Sequence, residues 1–237
     1  MRRQIGIIVL ASAAAVPLTA PPTAAAGPGS YAVTQTHGAK FTVLTTNNLV
    51  TALAYNTVYN LSTTSTGAHR LPFPLHLYNS TYRSIAISTN GNIQPGTAAT
   101  VVAGPWNQTC LPNPAFGRTA LMAFWFSDYL YFGSAQGLSQ GQGIFTGTKG
   151  KAPHRTFTVS WQKGAEFVSA PTKVNVQMIF TEGSQTVRYV YGQISSQYRV
   201  VAGLQSKDQT SSTQVHCGEF TAFPDTAGLQ LTFTHLN

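Results

Sequence analysis

The chain has 237 residues, of which only 8% are charged, and its 14 Lys and Arg against 6 Asp and Glu give a formal net charge of +8. Hydrophobic residues make up 43% of the sequence, so a chain of this length can bury a core as one all-β domain. The basic residues are scattered rather than gathered in a stripe with aromatic residues, which argues against a nucleic-acid-binding protein.

The first 26 residues have the features of a secretory signal peptide. A basic start is followed by an apolar run of residues 5–16, and three alanines that end at Ala26 offer a small-residue cleavage site. The run is too short to span a bilayer as a stable helix, although an uncleaved membrane anchor is the alternative. We therefore expect cleavage after Ala26 and a secreted mature chain, residues 27–237, that forms one domain without a membrane span.

The first clear strand pair lies in “LPFPLHLYNSTYRSIAISTNGNIQ”, residues 71–94. Polar and apolar residues alternate in “YRSIAIS”, as they do in a strand with one buried face. Asn90-Gly91 supplies the positive backbone angles that a tight hairpin turn needs. Pro72 and Pro74 suit an edge strand or the start of a strand, because proline has no N–H to donate.

The two cysteines, Cys110 and Cys217, are predicted to form one disulfide. They are 107 positions apart, and closing so long a loop is worth about 4.7 kcal/mol in the chain-entropy model. Free thiols or a metal site are the alternatives, but no short Cys or His spacing favours zinc. Without an Asp-rich loop any calcium site would be weak, and we expect neither a metal nor a cofactor.

The run “ALMAFWFSDYLYF”, residues 120–132, is apolar at both alternating positions. This pattern predicts a central strand that is covered on both faces, and an aromatic binding platform is the alternative. Asp128 interrupts the run where a loop should begin. We interpret it as a structural acid that accepts backbone N–H groups or pairs with Arg118, with a functional carboxylate as the alternative.

The segment “GLSQG” places Ser139 in a G-x-S-x-G pattern, which holds the nucleophile in one large class of hydrolases. Such a nucleophile needs a buried strand before the serine and a helix directly after it. Here glycines surround the motif and no helical pattern follows, so we predict a loop. No histidine and acid show a spacing that would complete a catalytic triad.

The second half of the chain continues as alternating strands, separated by turn signals at Lys149-Gly150 and at residues 182–184. Period-two alternation with one apolar face is typical of antiparallel sheets. The fold predicted is therefore all-β, a single antiparallel two-sheet sandwich that is jelly-roll-like and carries one disulfide. The clearest alternating segments are “RTFTVSW”, “KVNVQMIF”, “TVRYVYG” and “GLQLTFTH”.

Several segments together resemble a domain that is common in large secreted bacterial proteins. They are “LPFPLHLYNSTYRSIAISTNGNIQ”, “CLPNPAF”, “ALMAFWFSDYL” and “GIFTGTKGKAPHRTFTVSWQ”, followed by Cys217 and “GLQLTFT”. The opening part is also similar to the S-N-G hairpin of nidogen-type (NIDO-like) extracellular domains. The resemblance implies a β-sandwich used as an extracellular module, often appended to proteases or adhesins, and it brings no catalytic residues. The acidic pair of that domain is reduced here to Ser127-Asp128.

We therefore expect a non-catalytic secreted module for adhesion or extracellular interaction, with a glycan or a protein surface as its partner. Aromatic side chains on loops are the candidate contacts, because their faces stack on sugars and bury well at interfaces. The alternative is that these rings cap the core. The candidate contact residues, together with Asp128, are Trp106, Phe116, Tyr129, Tyr131 and Tyr198.

Two other functions stay open at the level of sequence. One is a small secreted hydrolase that uses Asp128 with a nearby His or Glu, which would require a cleft that gathers an acid, a base and a nucleophile. The other is a structural or self-assembling envelope protein, which would require a long unprotected edge strand.

Overall fold

The computed structural model is all-β. Apart from one short 3₁₀ turn, Pro114–Phe116, the described residues contain no helix. Accordingly, no described helix has the length and hydrophobicity needed to cross a membrane. The structure describes residues 30–45, 49–51, 65–96, 109–126, 130–131, 141–166, 174–194, 199–219 and 226–236.

Fourteen strands lie within the described residues. In chain order they are β1 (Tyr31–Thr36), β2 (Leu49–Thr51), β3 (Ser65–Leu77), β4 (Ser80–Ser88), β5 (Asn92–Pro95), β6 (Ala120–Phe126), β7 (Leu130–Tyr131), β8 (Gly143–Lys149), β9 (Thr156–Glu166), β10 (Val174–Thr181), β11 (Val187–Ile194), β12 (Arg199–Gln205), β13 (Ser212–Glu219) and β14 (Gln230–His235).

The strands form two antiparallel sheets. The eight-stranded sheet has the order β1-β14-β11-β10-β9-β8-β2, with β7 paired to β9, and the six-stranded sheet has the order β13-β12-β6-β5-β4-β3. Each sheet contains a meander of four consecutive strands, β8 to β11 in one and β3 to β6 in the other. The chain changes sheet after β2, β6, β11 and β13.

The core lies between the two sheets and is built by the predicted alternation. On β9 the side chains of Phe157, Val159 and Trp161 point inward and are at most 5% exposed. The same inner face receives the apolar side chains of β10, β11 and β14, which are equally buried. The predicted all-β antiparallel sandwich is thus confirmed, because the polar partners in each alternation stay on the outer faces.

Strand β6 lies in the middle of the six-stranded sheet and is apolar on both faces, as predicted. Leu121 faces the main core, whereas Met122 points to the opposite side. There Met122 packs in a second, smaller cluster with Leu111, Phe116 and Val201. Over residues 120–124, whose side chains are described, the apolar run therefore reflects burial on two sides rather than a binding platform.

The predicted Asn90-Gly91 turn joins β4 to β5 and is buried. Gly91 has a φ of 80°, and a Cβ at this position would collide with the carbonyl oxygen of Phe124. The carbonyl oxygen of Gly91 accepts hydrogen bonds from the N–H groups of Ala123 (3.1 Å) and Phe124 (3.3 Å). Glycine is thus required here both by the left-handed backbone and by the close approach of β6.

The edge of the six-stranded sheet is β3, and it carries both prolines of the “LPFPL” segment. Leu71, Phe73 and Leu75 point into the core, while Pro72 and Pro74 are half-buried on the other side of the strand. The prediction that these prolines mark an edge or a strand start is confirmed. A strand edge without two of its N–H donors is a poor template for pairing with another chain.

Two irregular segments cross the outer faces of the sandwich. We name residues 39–45 the first strap, which crosses the eight-stranded sheet, and residues 109–119 the second strap, which crosses the six-stranded sheet. The first strap is held by Gln162 and Gln177, whose amides bind the backbone N–H and C=O of Leu44 and Thr42. A buried side-chain amide can replace a neighbouring strand in this way, because it offers one donor and one acceptor side by side.

The second strap is held by three kinds of contact. Gln205 accepts a hydrogen bond from the N–H of Asn113 (2.7 Å) and donates to its carbonyl oxygen (3.1 Å). Leu111 and Phe116 enter the second apolar cluster. The predicted disulfide, which is confirmed, then joins Cys110 of the strap to Cys217 of β13 with the two Cα atoms 5.5 Å apart.

Candidate functional site

Most of the residues predicted from sequence as contacts lie outside the described parts of the chain. For Tyr131 the backbone is described: it ends strand β7 and pairs with Ala165 of β9. The predicted residues outside the described ranges are Trp106, Asp128, Tyr129 and Tyr198, and the same holds for the predicted loop around Ser139.

Phe116 is described, and its place corrects one expectation. Its ring is 3% exposed and packs in the second apolar cluster beneath the second strap. The sequence predicted an exposed loop aromatic here, but the second strap folds back onto β6 and β12 and its Pro114–Phe116 turn directs the ring inward. Phe116 therefore follows the alternative interpretation, in which the aromatic ring covers the core and is not a ligand contact.

A polar cleft of about 220 Å³ opens at one end of the sandwich. It lies where the β3–β4 turn, the β12–β13 turn and the end of the second strap come together. We name it the polar cleft. Its lining residues are Tyr78, Asn79, Ser80, Thr119, Ser206, Lys207, Asp208, Thr210 and Ser211.

The β3–β4 turn contributes Tyr78, whose backbone is in the left-handed region with a φ of 52°. A bulky residue there is uncommon, since asparagine and glycine adopt this conformation with less strain. The Tyr78 ring packs edge-on against Tyr31 with centroids 5.0 Å apart, and its hydroxyl is buried without a hydrogen-bond partner among the described residues. Burial raises the pKa of Tyr78 well above its usual value, and nearby Tyr31 and Asp208 raise it further, so the phenol stays protonated.

The β12–β13 turn is organised by Asp208. One carboxylate oxygen of Asp208, Oδ1, accepts hydrogen bonds from the Ser206 hydroxyl (2.5 Å) and from the N–H of Thr210 (3.2 Å). These bonds lower the pKa of Asp208, with the Ser206 hydroxyl as the main cause, so the carboxylate is ionised at neutral pH. Asp208 is thus an acid that stabilises its own turn, and the same turn also brings the carboxylate to the cleft.

Thr119 reaches the cleft from the end of the second strap. Its hydroxyl shares a hydrogen bond of 2.7 Å with the hydroxyl of Tyr82 on β4. Thr119 directly precedes β6, so its position depends on the strap that the disulfide anchors. The cleft is therefore assembled from three segments that are far apart in sequence.

The chemistry of the polar cleft suits binding. Its lining offers hydroxyl and amide groups with one ammonium, Lys207, and one carboxylate, Asp208. Hydrogen-bond donors and acceptors of this kind recognise a polar ligand. Its nine lining residues include neither His nor Cys. Nowhere in the described ranges do three His, Cys, Asp or Glu side chains gather as metal ligands would.

Two other titratable side chains of the described chain, Glu182 and His216, are committed to local contacts. Both carboxylate oxygens of Glu182 accept hydrogen bonds from the guanidinium of Arg155, at 2.5 and 2.8 Å. These bonds lower the pKa of Glu182 to about 2. His216, beside the disulfide, contacts the carbonyl oxygen of Gly218 (3.2 Å), and burial lowers its pKa.

The sequence offered only weak signals for the polar cleft. Tyr78-Asn79 lies between two strands at the position of a two-residue hairpin turn, and the Ser-Lys-Asp segment at 206–208 has turn composition. Either segment alone predicts a surface turn. Nothing in their spacing predicts that the two turns and Thr119 share one cleft.

Comparison with known proteins places the chain in a wider group. Residues 30–231 match a family model that is described as NIDO related, so the match spans nearly the whole of the described structure. No curated protein and no solved structure matches the chain at a significant level.

Proposed function

The chain belongs to the NIDO-related family, and from this premise we propose that it is a non-catalytic interaction module that works outside the cell. In this proposal a bacterial cell exports the chain, signal peptidase removes residues 1–26, and the single domain 27–237 binds carbohydrate or another component of a cell surface. Its role is adhesion or extracellular recognition rather than turnover.

The polar cleft is the observation that carries the proposal. Its hydroxyl and amide lining matches the hydrogen-bonding groups of a surface glycan, whose hydroxyls both donate and accept. The β12–β13 turn is fixed by internal hydrogen bonds, and the β3–β4 turn is held by the pairing of Leu77 with Ser80 and by the packing of Tyr78 on Tyr31. This order reduces the entropy lost when a ligand binds.

The loop aromatics remain part of the proposal as a second set of contacts. Trp106, Tyr129 and Tyr198 would add stacking faces beside hydrogen-bonding groups, and aromatic stacking is the second common element of sugar recognition. Asp128 is proposed as a structural acid at the end of its apolar run.

The test is a binding screen run beside turnover assays. The secreted, disulfide-bonded chain would be applied to a glycan array and to intact cell-surface fractions, while general esterase, protease and glycosidase substrates are followed in parallel. Binding without turnover is expected. Turnover that disappears in Asp128→Asn would replace the module with a hydrolase, and absence of binding to every surface tested would refute the interaction role.

A further inference from the structure

We propose that the polar cleft binds one uncharged sugar residue of the hexopyranose class, with Asp208 and Lys207 as the residues that select it. This inference rests on the proposed extracellular binding role and narrows it to one site and one ligand chemistry.

The size of the cleft favours a single ring. Sites for drug-sized ligands occupy about 300–1,000 Å³, whereas the polar cleft measures about 220 Å³. It is bounded by Tyr78 and Ser80 on one side and by residues 206–211 on the other. A monosaccharide unit, alone or at the end of a chain, fits these limits better than an extended oligomer lying along a groove.

The charge of the lining favours a neutral ligand. Lys207 and Asp208 are the two charged side chains that line the cleft, and their charges cancel. The proposed cleavage after Ala26 removes Arg2 and Arg3, which leaves 12 Lys and Arg against 6 Asp and Glu, and this net charge of +6 would attract anions to the protein in general. Within the cleft the two opposite charges offset each other, so an acidic sugar would lose the hydration of its carboxylate without a net electrostatic attraction to replace it.

The hydrogen bonds of Asp208 prepare it for sugar hydroxyls. Ser206 and Thr210 hold the carboxylate through Oδ1, and a carboxylate can accept about four hydrogen bonds in all. The Thr210 hydroxyl is a third partner of the carboxylate, so Asp208 keeps capacity to accept from about one sugar hydroxyl, while the Lys207 ammonium can donate to the oxygen of a neighbouring hydroxyl. A vicinal diol presents this combination of donors and acceptors.

Tyr78 supplies a further indication that the cleft serves a ligand. Its left-handed backbone is strained for a residue of this type, and asparagine or glycine would adopt it with less strain. The side chain is 8% exposed, lines the cleft and has a buried hydroxyl with no described partner. Strained residues with unsatisfied polar groups gather at binding sites. The phenol is enclosed in this structure, and a small shift of its turn on binding would bring it within reach of a ligand hydroxyl.

The experiment is a titration of the full secreted chain with glucose, galactose, mannose and N-acetylglucosamine, and with glucuronate as the acidic analogue, followed by calorimetry or by ligand-observed NMR. At least one neutral sugar should bind, and glucuronate should bind more weakly than glucose does. Asp208→Asn should lower the affinity for the neutral sugar that binds most tightly by about tenfold or more, since a hydrogen bond to a charged group is lost. Lys207→Gln should weaken it less.

Two further variants keep the result interpretable. Glu219→Gln changes an exposed acid of β13 that does not line the cleft and should leave affinity within about twofold. Tyr78→Phe keeps the packing against Tyr31 but removes the hydroxyl, so it should weaken binding while leaving the unfolding midpoint unchanged.

The outcomes separate this inference from the broader function. Glycan or cell-surface binding that survives Asp208→Asn, Lys207→Gln and Tyr78→Phe would overturn the cleft as the site and leave the extracellular role intact. Preference for glucuronate over glucose would overturn the assignment of a neutral ligand. Failure of the folded chain to bind any monosaccharide would also overturn it, whereas failure on every array and surface would refute the proposed function itself.

Discussion

The two straps are held on the outer faces of the sandwich by different sets of contacts. Each crosses the outer face of a sheet, where the backbone of an irregular segment must find hydrogen-bond partners. Gln162 and Gln177 provide them for the first strap, and Gln205 with Gln214 for the second. The second strap adds an apolar cluster and the disulfide at Cys110, whereas the first strap leaves Val43 62% exposed.

The difference indicates how firmly each sheet face is covered. Asn113 in the second strap is 3% exposed, so its backbone groups have little access to water. Thr42 in the first strap is exposed, and water can replace its hydrogen bonds at small cost. We infer that the second strap belongs to the cooperative core and that the first strap opens locally. Because Thr119 ends the second strap, the polar cleft lies on the firmer side.

The largest effect is expected from removing the disulfide. Cys110→Ala with Cys217→Ala should lower the free energy of unfolding by about 2–5 kcal/mol, since the bridge closes a long loop. Urea unfolding of the secreted chain measures the change, and hydrogen exchange should show faster exchange in residues 109–119 but not in residues 39–45. An unchanged urea midpoint would mean that the strap is held by its apolar cluster alone.

A smaller effect on the free energy of unfolding is expected from adding a methyl group to glycines that lie beneath the straps. A Cβ on Gly203 would collide with the carbonyl oxygen of Thr213 and lie 2.9 Å from Leu111 Cδ1, so Gly203→Ala should cost about 1–3 kcal/mol. At Gly147 the nearest atom is the flexible Leu44 Cδ2 at 3.2 Å, and Gly147→Ala should cost less than about 1 kcal/mol. Equal losses in thermal unfolding would mean that the Thr213 carbonyl and Leu111 move away as readily as Leu44 does.

Replacing a buried glutamine should likewise cost more stability under the second strap than under the first. Gln205→Leu removes the acceptor of the buried Asn113 N–H and one of the two donors to its carbonyl oxygen, the other being the N–H of Phe116 (3.3 Å), and should cost about 2 kcal/mol. Gln162→Leu frees the backbone of the half-buried Leu44, which water can reach, and should cost about 1 kcal/mol. Chemical denaturation measures both, and a larger loss in Gln162→Leu would reverse our ranking of the straps.

The smallest change in folding stability is expected from lowering the pH. This change should not alter the hydrogen bonds that hold the two straps. The pKa of Glu182 is lowered from its ordinary 4.5 to about 2 by Arg155, so this ion pair stabilises the fold above pH 4.5 and loses its contribution as the pH falls toward 2. Glu182→Gln should therefore reduce the difference between the urea midpoints at pH 6 and pH 2.5. Because glutamine amides hold the straps, hydrogen-exchange protection of residues 39–45 and 109–119 should change little over this range once intrinsic rates are corrected.

The parts of the fold that local pattern predicted are those where neighbours in sequence decide the outcome. Alternation placed Val159 and Trp161 on the inner face of β9, and Asn90-Gly91 marked a hairpin turn, because both depend on backbone geometry within a few residues. The same rule failed for Gln162 and Gln205. Alternation assigns both to a solvent-facing side, yet each is at most 1% exposed because a distant strap crosses over it.

By itself, the amino-acid sequence determined the fold class, the disulfide between Cys110 and Cys217, and the double burial of β6, since these follow from period-two hydrophobicity and cysteine count. Only the tertiary structure decided that Phe116 turns inward and that Tyr78, Thr119 and Asp208 share one cleft. The physical reason is that turn residues carry no periodic signal. Their neighbours in space are set by how the sheets stack and where the straps cross, and not by the residues beside them in the chain.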